Sequence, residues 1–147
     1  MWPATRVIPG IQCVVAEDRV IVLRRFHEAW TSGDLPTVLD LVDPEIVVRP
    51  LQRALFTRSE FRGTDGIVDW YHEMTDPWDR FEALVEEARA TPTGAVGLLT
   101  VVGYRGEDPY HARVGVTCEI RDGRIVRLTA RNASDVEKEI HAGASSA

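Results

Sequence analysis

Apolar and polar positions divide the chain into a helical first half and a strand-rich second half. Val22, Leu23, Phe26 and Trp30 recur at spacings of three and four, a pattern that predicts a helix with one buried face. Acidic Asp18 lies near the predicted start of this helix, where the helix dipole favours negative charge.

Two further helices are predicted before the strand-rich half. Asp34 is placed to cap a short second helix, which Asp43-Pro44 ends. A strand is expected over Glu45–Leu51. Gly63-Thr64-Asp65-Gly66 then introduces a third helix, which Pro77 closes.

The second half is predicted to form a succession of strands, over Phe81–Ala90, Ala95–Arg105, Tyr110–Arg121 and Arg124–Asn132. Asp122-Gly123 separates the last two strands and is a strong two-residue hairpin signal. Three N-terminal helices followed by long strands predict an α+β fold, with the helices packed on one face of a curved, mostly antiparallel sheet.

One strand is apolar on both faces. In Ala95–Arg105, Val96 and Leu98 share one side, while Leu99 and Val101 share the other. A strand of this kind is covered on both sides. We expect a second copy of the protein to cover the outer side, which predicts a homodimer formed through the sheet.

Composition and charge exclude several function classes. The 147 residues carry a formal net charge of −6, which disfavours a nucleic-acid or anionic-membrane partner. No apolar run approaches the roughly 20 residues that span a bilayer, and the N-terminus does not resemble a signal peptide. We expect a cytoplasmic protein with an N-terminal arm over residues 1–16 and one domain over residues 17–147.

The sequence predicts no metal and no cofactor. Cys13 and Cys118 lack CxxC spacing and suggest neither a zinc site nor a disulfide framework. His27 and His72 are expected to face water or a helix–helix seam, and neither has a second ligand at metal spacing. A glycine-rich phosphate loop is also missing from the sequence.

Several stretches resemble a known family. FHEAWTSGDLPTVLDLVDPEIVV, FRGTDGIVDWY and EIRDGRIVRL are similar to the SnoaL-like branch of the NTF2-like superfamily, which includes ketosteroid isomerases, limonene-epoxide hydrolases and polyketide cyclases. EKEIHAGA resembles the tail of a bacterial ketosteroid isomerase. The resemblance implies a cone-shaped NTF2-like sheet around the first helix, a deep apolar pocket and a homodimer.

The family's isomerase chemistry does not carry over. Ketosteroid isomerases use a carboxylate base, a tyrosine and a protonated aspartic acid. By alignment these positions hold Arg49, Phe26 and Val116, none of which can perform those roles. Ketosteroid isomerisation by the family mechanism is therefore excluded, and no match to the Asp-Arg-Asp group of the epoxide hydrolases is found.

The alignment still predicts a mostly apolar ligand pocket, with candidate residues Phe26, Trp30, Arg49, Trp70, Tyr71, Met74, Val116, Leu128 and Asn132. Arg49 either binds a ligand carboxylate or enolate, or pairs with an acid of the protein. Tyr71 either donates to a ligand carbonyl or is a core residue. Asn132 either orients a water or ligand, or caps or turns the chain.

Two hypotheses of function follow. The first is a pocket for a small hydrophobic molecule, anionic if Arg49 binds it, with isomerase, cyclase or dehydratase chemistry whose general base cannot be named. The alternative is a non-catalytic dimeric ligand-binding or scaffold module, in which Trp30, Trp70 and Trp78 fill the cone. A cavity of about 300 Å³ or more favours the first hypothesis, and a filled cone favours the second.

Overall fold

The computed structural model describes residues 16–51 and 58–145. The arm expected over residues 1–16 therefore lies outside the described residues, except for Ala16, which begins the first helix. The three expected N-terminal helices are confirmed as α1 (Ala16–Ser32), α2 (Leu35–Asp40) and α3 (Gly63–Thr75). A fourth helix, α4 (Ala133–Ser145), follows the last strand and was not predicted. None of the described helices combines the length and apolarity needed to cross a membrane.

The strands form one open sheet. They are β1 (Val42–Arg49), β2 (Phe61–Arg62), β3 (Arg80–Ala90), β4 (Gly94–Arg105), β5 (Asp108–Arg121) and β6 (Arg124–Arg131). Their order across the sheet is β2-β1-β6-β5-β4-β3, and among these described strands only β1 and β6 pair in parallel. The predicted α+β fold with a mostly antiparallel sheet is confirmed.

Local signals in the sequence fix two of the connections. Asp34 caps α2, since its Oδ1 accepts a hydrogen bond from the Thr37 backbone N–H at 3.2 Å. The Thr37 hydroxyl donates to the other carboxylate oxygen at 2.7 Å. In the β5–β6 hairpin, Asp122 and Gly123 have φ values of 54° and 77°, the positive pair that a type I′ turn requires.

Helix α1 packs on the inner face of the sheet, against β3 and β4. Its contact with β4 is close because Gly97 lies beneath Leu23. A Cβ at Gly97 would stand only 3.2 Å from Leu23 Cδ2. Helix α3 packs against β1, so α1 and α3 together cover the inner face and form the main core with it.

Helix α4 covers part of the outer face. Val136 and Ile140 pack on Val96 and Leu98 as a separate apolar cluster. The expectation that a second copy covers these two strand residues is wrong, because the chain's own C-terminal helix lies over them. Gly115 allows this approach, since a Cβ there would come within 2.3 Å of Val136 Cγ2.

Candidate functional site

A cavity of about 250 Å³ lies between α1, α3 and the inner face of the sheet. Its wall is almost entirely aromatic and aliphatic. Of the predicted pocket residues, those that border it are Phe26, Trp30, Trp70, Met74, Val116 and Leu128. Further apolar wall comes from Leu99, Val101, Ala112, Val114 and Ala130 on β4, β5 and β6.

Trp30 and Trp70 pack against each other and leave the cavity open. The Trp30 and Trp70 ring centroids are 4.6 Å apart, and both rings stand in the cavity wall. Trp78 lies apart from them, stacked on Tyr110 at 5.8 Å and packed over Gly103. The cone is therefore not filled by Trp30, Trp70 and Trp78, although the cavity is slightly smaller than the expected 300 Å³.

Arg49 lies outside the cavity wall. Its side chain is 57% exposed, and its Nε stands 3.4 Å from Oε2 of Glu60, the residue just before β2. Ile46 and Val48 are fully buried, so they, and not Arg49, face the core. Side chains alternate along a strand, and a phase error of one residue exchanges the two faces. The alignment was out of phase by one residue at this strand. The inward-facing neighbour of Arg49 is Pro50, and Pro50 does border the cavity.

Tyr71 and Asn132 are not among the residues that border the cavity either. The Tyr71 ring packs against Trp30, with centroids 5.0 Å apart, as expected of a core tyrosine. Asn132 is exposed just after β6, and its carbonyl oxygen accepts from the Val136 backbone N–H at 3.2 Å. It thus participates in the first turn of α4.

His27 borders the cavity and was missed. The expectation that it faces water or a helix–helix seam is wrong, because its side chain lies between α1 and the sheet and only 5% of the residue is exposed. The missed signal was its spacing. His27 is four residues after Leu23 and three before Trp30, which places it on the apolar face of α1.

Burial keeps the His27 imidazole neutral. Desolvation lowers the pKa of His27 from 6.5 to about 4, and the hydrogen bond to the Leu23 carbonyl offsets only part of that effect. At neutral pH the ring therefore carries one proton and one lone pair.

A second cavity, of about 310 Å³, lies between α1 and the edge strand β3. Its wall is more polar, with Arg24, Glu28 and Thr31 from α1. The Thr31 hydroxyl accepts from the Ala83 backbone N–H at 2.8 Å, which holds α1 against the strand. His27 borders both cavities and therefore lies between the apolar cavity and the more polar one.

Other polar groups around the apolar cavity are few. No carboxylate borders it among the described residues. Arg113 does so, but its guanidinium pairs with Glu86 at 3.2 Å and Glu137 at 3.7 Å. The indole N–H of Trp70 is fully buried without a hydrogen-bond partner.

Metal binding and thiol chemistry find no support in the described part of the chain. Residues 16–51 and 58–145 contain no cluster of three His, Cys, Asp or Glu side chains able to hold a metal ion. Burial raises the pKa of the Cys118 thiol to about 12, so it remains protonated and unreactive. Cys13 lies outside the described residues.

Helices packed on the inner face of an open, curved sheet, with an apolar cavity between them, form an NTF2-like fold. The SnoaL-like domain matches residues 23–128, which is most of the chain, and the protein therefore belongs to this family. Comparison with curated proteins finds no match.

Solved structures show the same fold at low sequence identity. Bal32a from a soil-derived mobile gene cassette is 19% identical, with a TM-score of 0.71 over 79% of this chain and 89% of its own. IdmH, a proposed polyketide cyclase from Streptomyces antibioticus, is 19% identical, with a TM-score of 0.66 over 76% and 89%. An LEH-like epoxide hydrolase from M. tuberculosis is 18% identical, with a TM-score of 0.64 over 84% and 89%. These similarities establish the fold alone.

Proposed function

We propose that the chain binds a small hydrophobic molecule in the apolar cavity between α1, α3 and the sheet. The observation that carries this proposal is a volume of about 250 Å³ lined by aromatic and aliphatic side chains. Ligand pockets begin at about 300 Å³, and an apolar cavity of about 150 Å³ already binds benzene. An anionic ligand is not part of the proposal, because Arg49 pairs with Glu60 outside the wall.

A reaction of the isomerase, cyclase or dehydratase type is the second candidate function. Membership of the SnoaL-like family and the likeness to IdmH and to an epoxide hydrolase favour this class. The described wall supplies no carboxylate as a general base. The low pKa of His27 makes it a weak base at neutral pH, so ligand binding is the better supported function.

Calorimetric titration with two apolar probes, naphthalene and 2-naphthol, tests the binding proposal. We expect at least one of them to bind the unmodified protein. Ala112→Phe places a phenyl ring in the cavity wall and should abolish binding. Ala142→Phe makes the same chemical change at an exposed position of α4 and should leave binding unchanged. Failure of both probes to bind the unmodified protein would reject the proposal and favour the non-catalytic scaffold module.

We also propose that the protein forms a homodimer through its sheet. Because α4 lies over β4 and β5, the second copy would contact the outer face beside it, formed by β1 and β6. Exposed pairs such as Arg49–Glu60 and Arg127–Glu119 give that surface both signs of charge, which suits contact with an identical surface. Light scattering at low micromolar concentration should give twice the chain mass, and a monomer alone would reject the dimer.

A further inference from the structure

The tautomer of His27 is fixed by the helix that carries it. Its Nδ1 lies 3.0 Å from the carbonyl oxygen of Leu23, one turn earlier in α1. A carbonyl oxygen can only accept, so Nδ1 must carry the proton of the neutral ring. The other nitrogen, Nε2, is then left with a lone pair and can only accept a hydrogen bond.

This acceptor has no partner among the described residues. The only hydrogen bond of the His27 side chain in these parts of the chain is the one to Leu23. Its ring is held in place by an edge contact with Phe26, with centroids 5.0 Å apart and planes at 81°. Nε2 is not among the fully buried atoms without a partner, so a bound donor can reach it and would supply the hydrogen bond that the described residues leave unmade.

We propose that the ligand carries a hydroxyl group that donates a hydrogen bond to Nε2 of His27. This inference rests on the proposed binding function and names the ligand class, which is a neutral hydrophobic molecule with a phenolic, enolic or alcoholic hydroxyl. The rest of the described wall is apolar apart from Arg113, which is already paired, and the Trp70 indole N–H, which is fully buried, so the hydroxyl is best oriented toward His27 on α1.

The same geometry discriminates against other ligands. Ethers offer only acceptors, which would meet the lone pair of Nε2 and gain no hydrogen bond. Carboxylates are disfavoured further, since the described wall holds no free cation and Arg113 is already paired with Glu86 and Glu137. The lowered pKa of His27 agrees with this selectivity, because Nε2 does not gain a proton at neutral pH and stays an acceptor.

Three probes of nearly the same shape test the inference by calorimetry at pH 7. Naphthalene has no polar group, 2-naphthol has a donor, and 2-methoxynaphthalene has an acceptor only. We expect 2-naphthol to bind at least about tenfold more tightly than 2-methoxynaphthalene, equivalent to about 1.4 kcal/mol. His27→Phe should abolish this preference while still binding naphthalene. His27→Gln, whose amide oxygen can stand near the position of Nε2, should restore part of it.

A second measurement needs no variant. In the ¹⁵N spectrum of the histidine rings, 2-naphthol should shift the Nε2 resonance of His27, and 2-methoxynaphthalene should not. Binding of naphthalene and 2-naphthol with equal affinity, and no change at Nε2, would overturn the inference and leave the proposed binding function intact. This is also the result expected if a water molecule in the α1–β3 cavity already satisfies Nε2. If none of the three probes binds, both proposals fail together.

Discussion

His27 donates a hydrogen bond from Nδ1 to the carbonyl oxygen of Leu23 at 3.0 Å, within a single turn of α1. The bond turns a buried histidine into an oriented group, because it fixes the ring's rotation and leaves Nε2 as the acceptor. The same ring is desolvated by the core around it, so protonation would introduce a buried charge. Its titration should therefore be visible in the stability of the whole protein.

We expect the free energy of unfolding to fall as the pH is lowered from about 6.5 toward 4. In this window the unfolded chain protonates His27, whereas the folded chain, with a pKa of about 4, does not. Protons bound only by the unfolded state stabilise that state. Between pH 7 and pH 5 the loss attributable to His27 is about 2 kcal/mol.

Urea denaturation at pH 7 and pH 5 measures this loss. His27→Phe should remove most of the difference between the two pH values, and His111→Gln, at an exposed site on β5, should keep it. Arg24, Glu28 and Arg113 border the same cavities and are present in both variants, so their contribution cancels in the comparison. An identical pH dependence in His27→Phe and the unmodified protein would contradict the prediction.

Arg49→Ala should have little effect on binding. Its guanidinium is exposed and paired with Glu60 on the outer side of the sheet, away from the cavity. Exposed ion pairs contribute about 0–1 kcal/mol, so the stability change should stay within that range. The dissociation constant for 2-naphthol should stay within about twofold of the unmodified value, as it should for the matched variant Arg62→Ala. A tenfold loss of affinity would bring Arg49 back into the site.

Gly115→Ala should destabilise the protein by about 1–3 kcal/mol. The new Cβ would stand 2.3 Å from Val136 Cγ2 and 2.7 Å from Val136 Cβ, so α4 must move away from the sheet. Urea denaturation of both single variants and of the double variant Gly115→Ala/Val136→Ala measures the coupling. The glycine substitution should cost less when Val136 is already truncated, and equal costs in the two backgrounds would contradict close packing of α4.

Cys118 should react slowly with thiol reagents in the folded protein. Its side chain is buried in the core, and burial raises its pKa to about 12, so very little thiolate forms at neutral pH. In a Cys13→Ser background, labelling by iodoacetamide should be at least about a hundredfold slower in buffer than in denaturing urea. Comparable rates would show that the core around Cys118 opens readily.

Features set by local chemistry were predictable from the sequence. The Asp34 cap and the Asp122-Gly123 turn depend on adjacent residues and appear as expected. Which residues of β1 face the core was not predictable in this way. Ile46, Val47 and Val48 are all apolar, so either alternation could face the core, and only packing against the helices selects Ile46 and Val48.

Two other features, α4 and the burial of His27, are marked in the sequence by their spacing. Val136 and Ile140 have the i, i+4 spacing of an apolar helix face, yet no helix was predicted there. His27 shares the apolar face of α1 by its spacing, yet it was expected to face water or a helix–helix seam. In both cases the spacing was a better guide than the identity of the residue or its place in the chain.

The cavity and α4 lie on opposite faces of the same two strands. On β4, Leu99 borders the cavity while Leu98 supports α4, and on β5 Val114 and Gly115 divide in the same way. Neighbouring residues on a strand move as a unit, so a tilt of either strand that reshapes one face must reshape the other. A molecule that widens the apolar cavity would push β4 and β5 outward against α4. The sheet would therefore transmit a change at the ligand to the C-terminal helix.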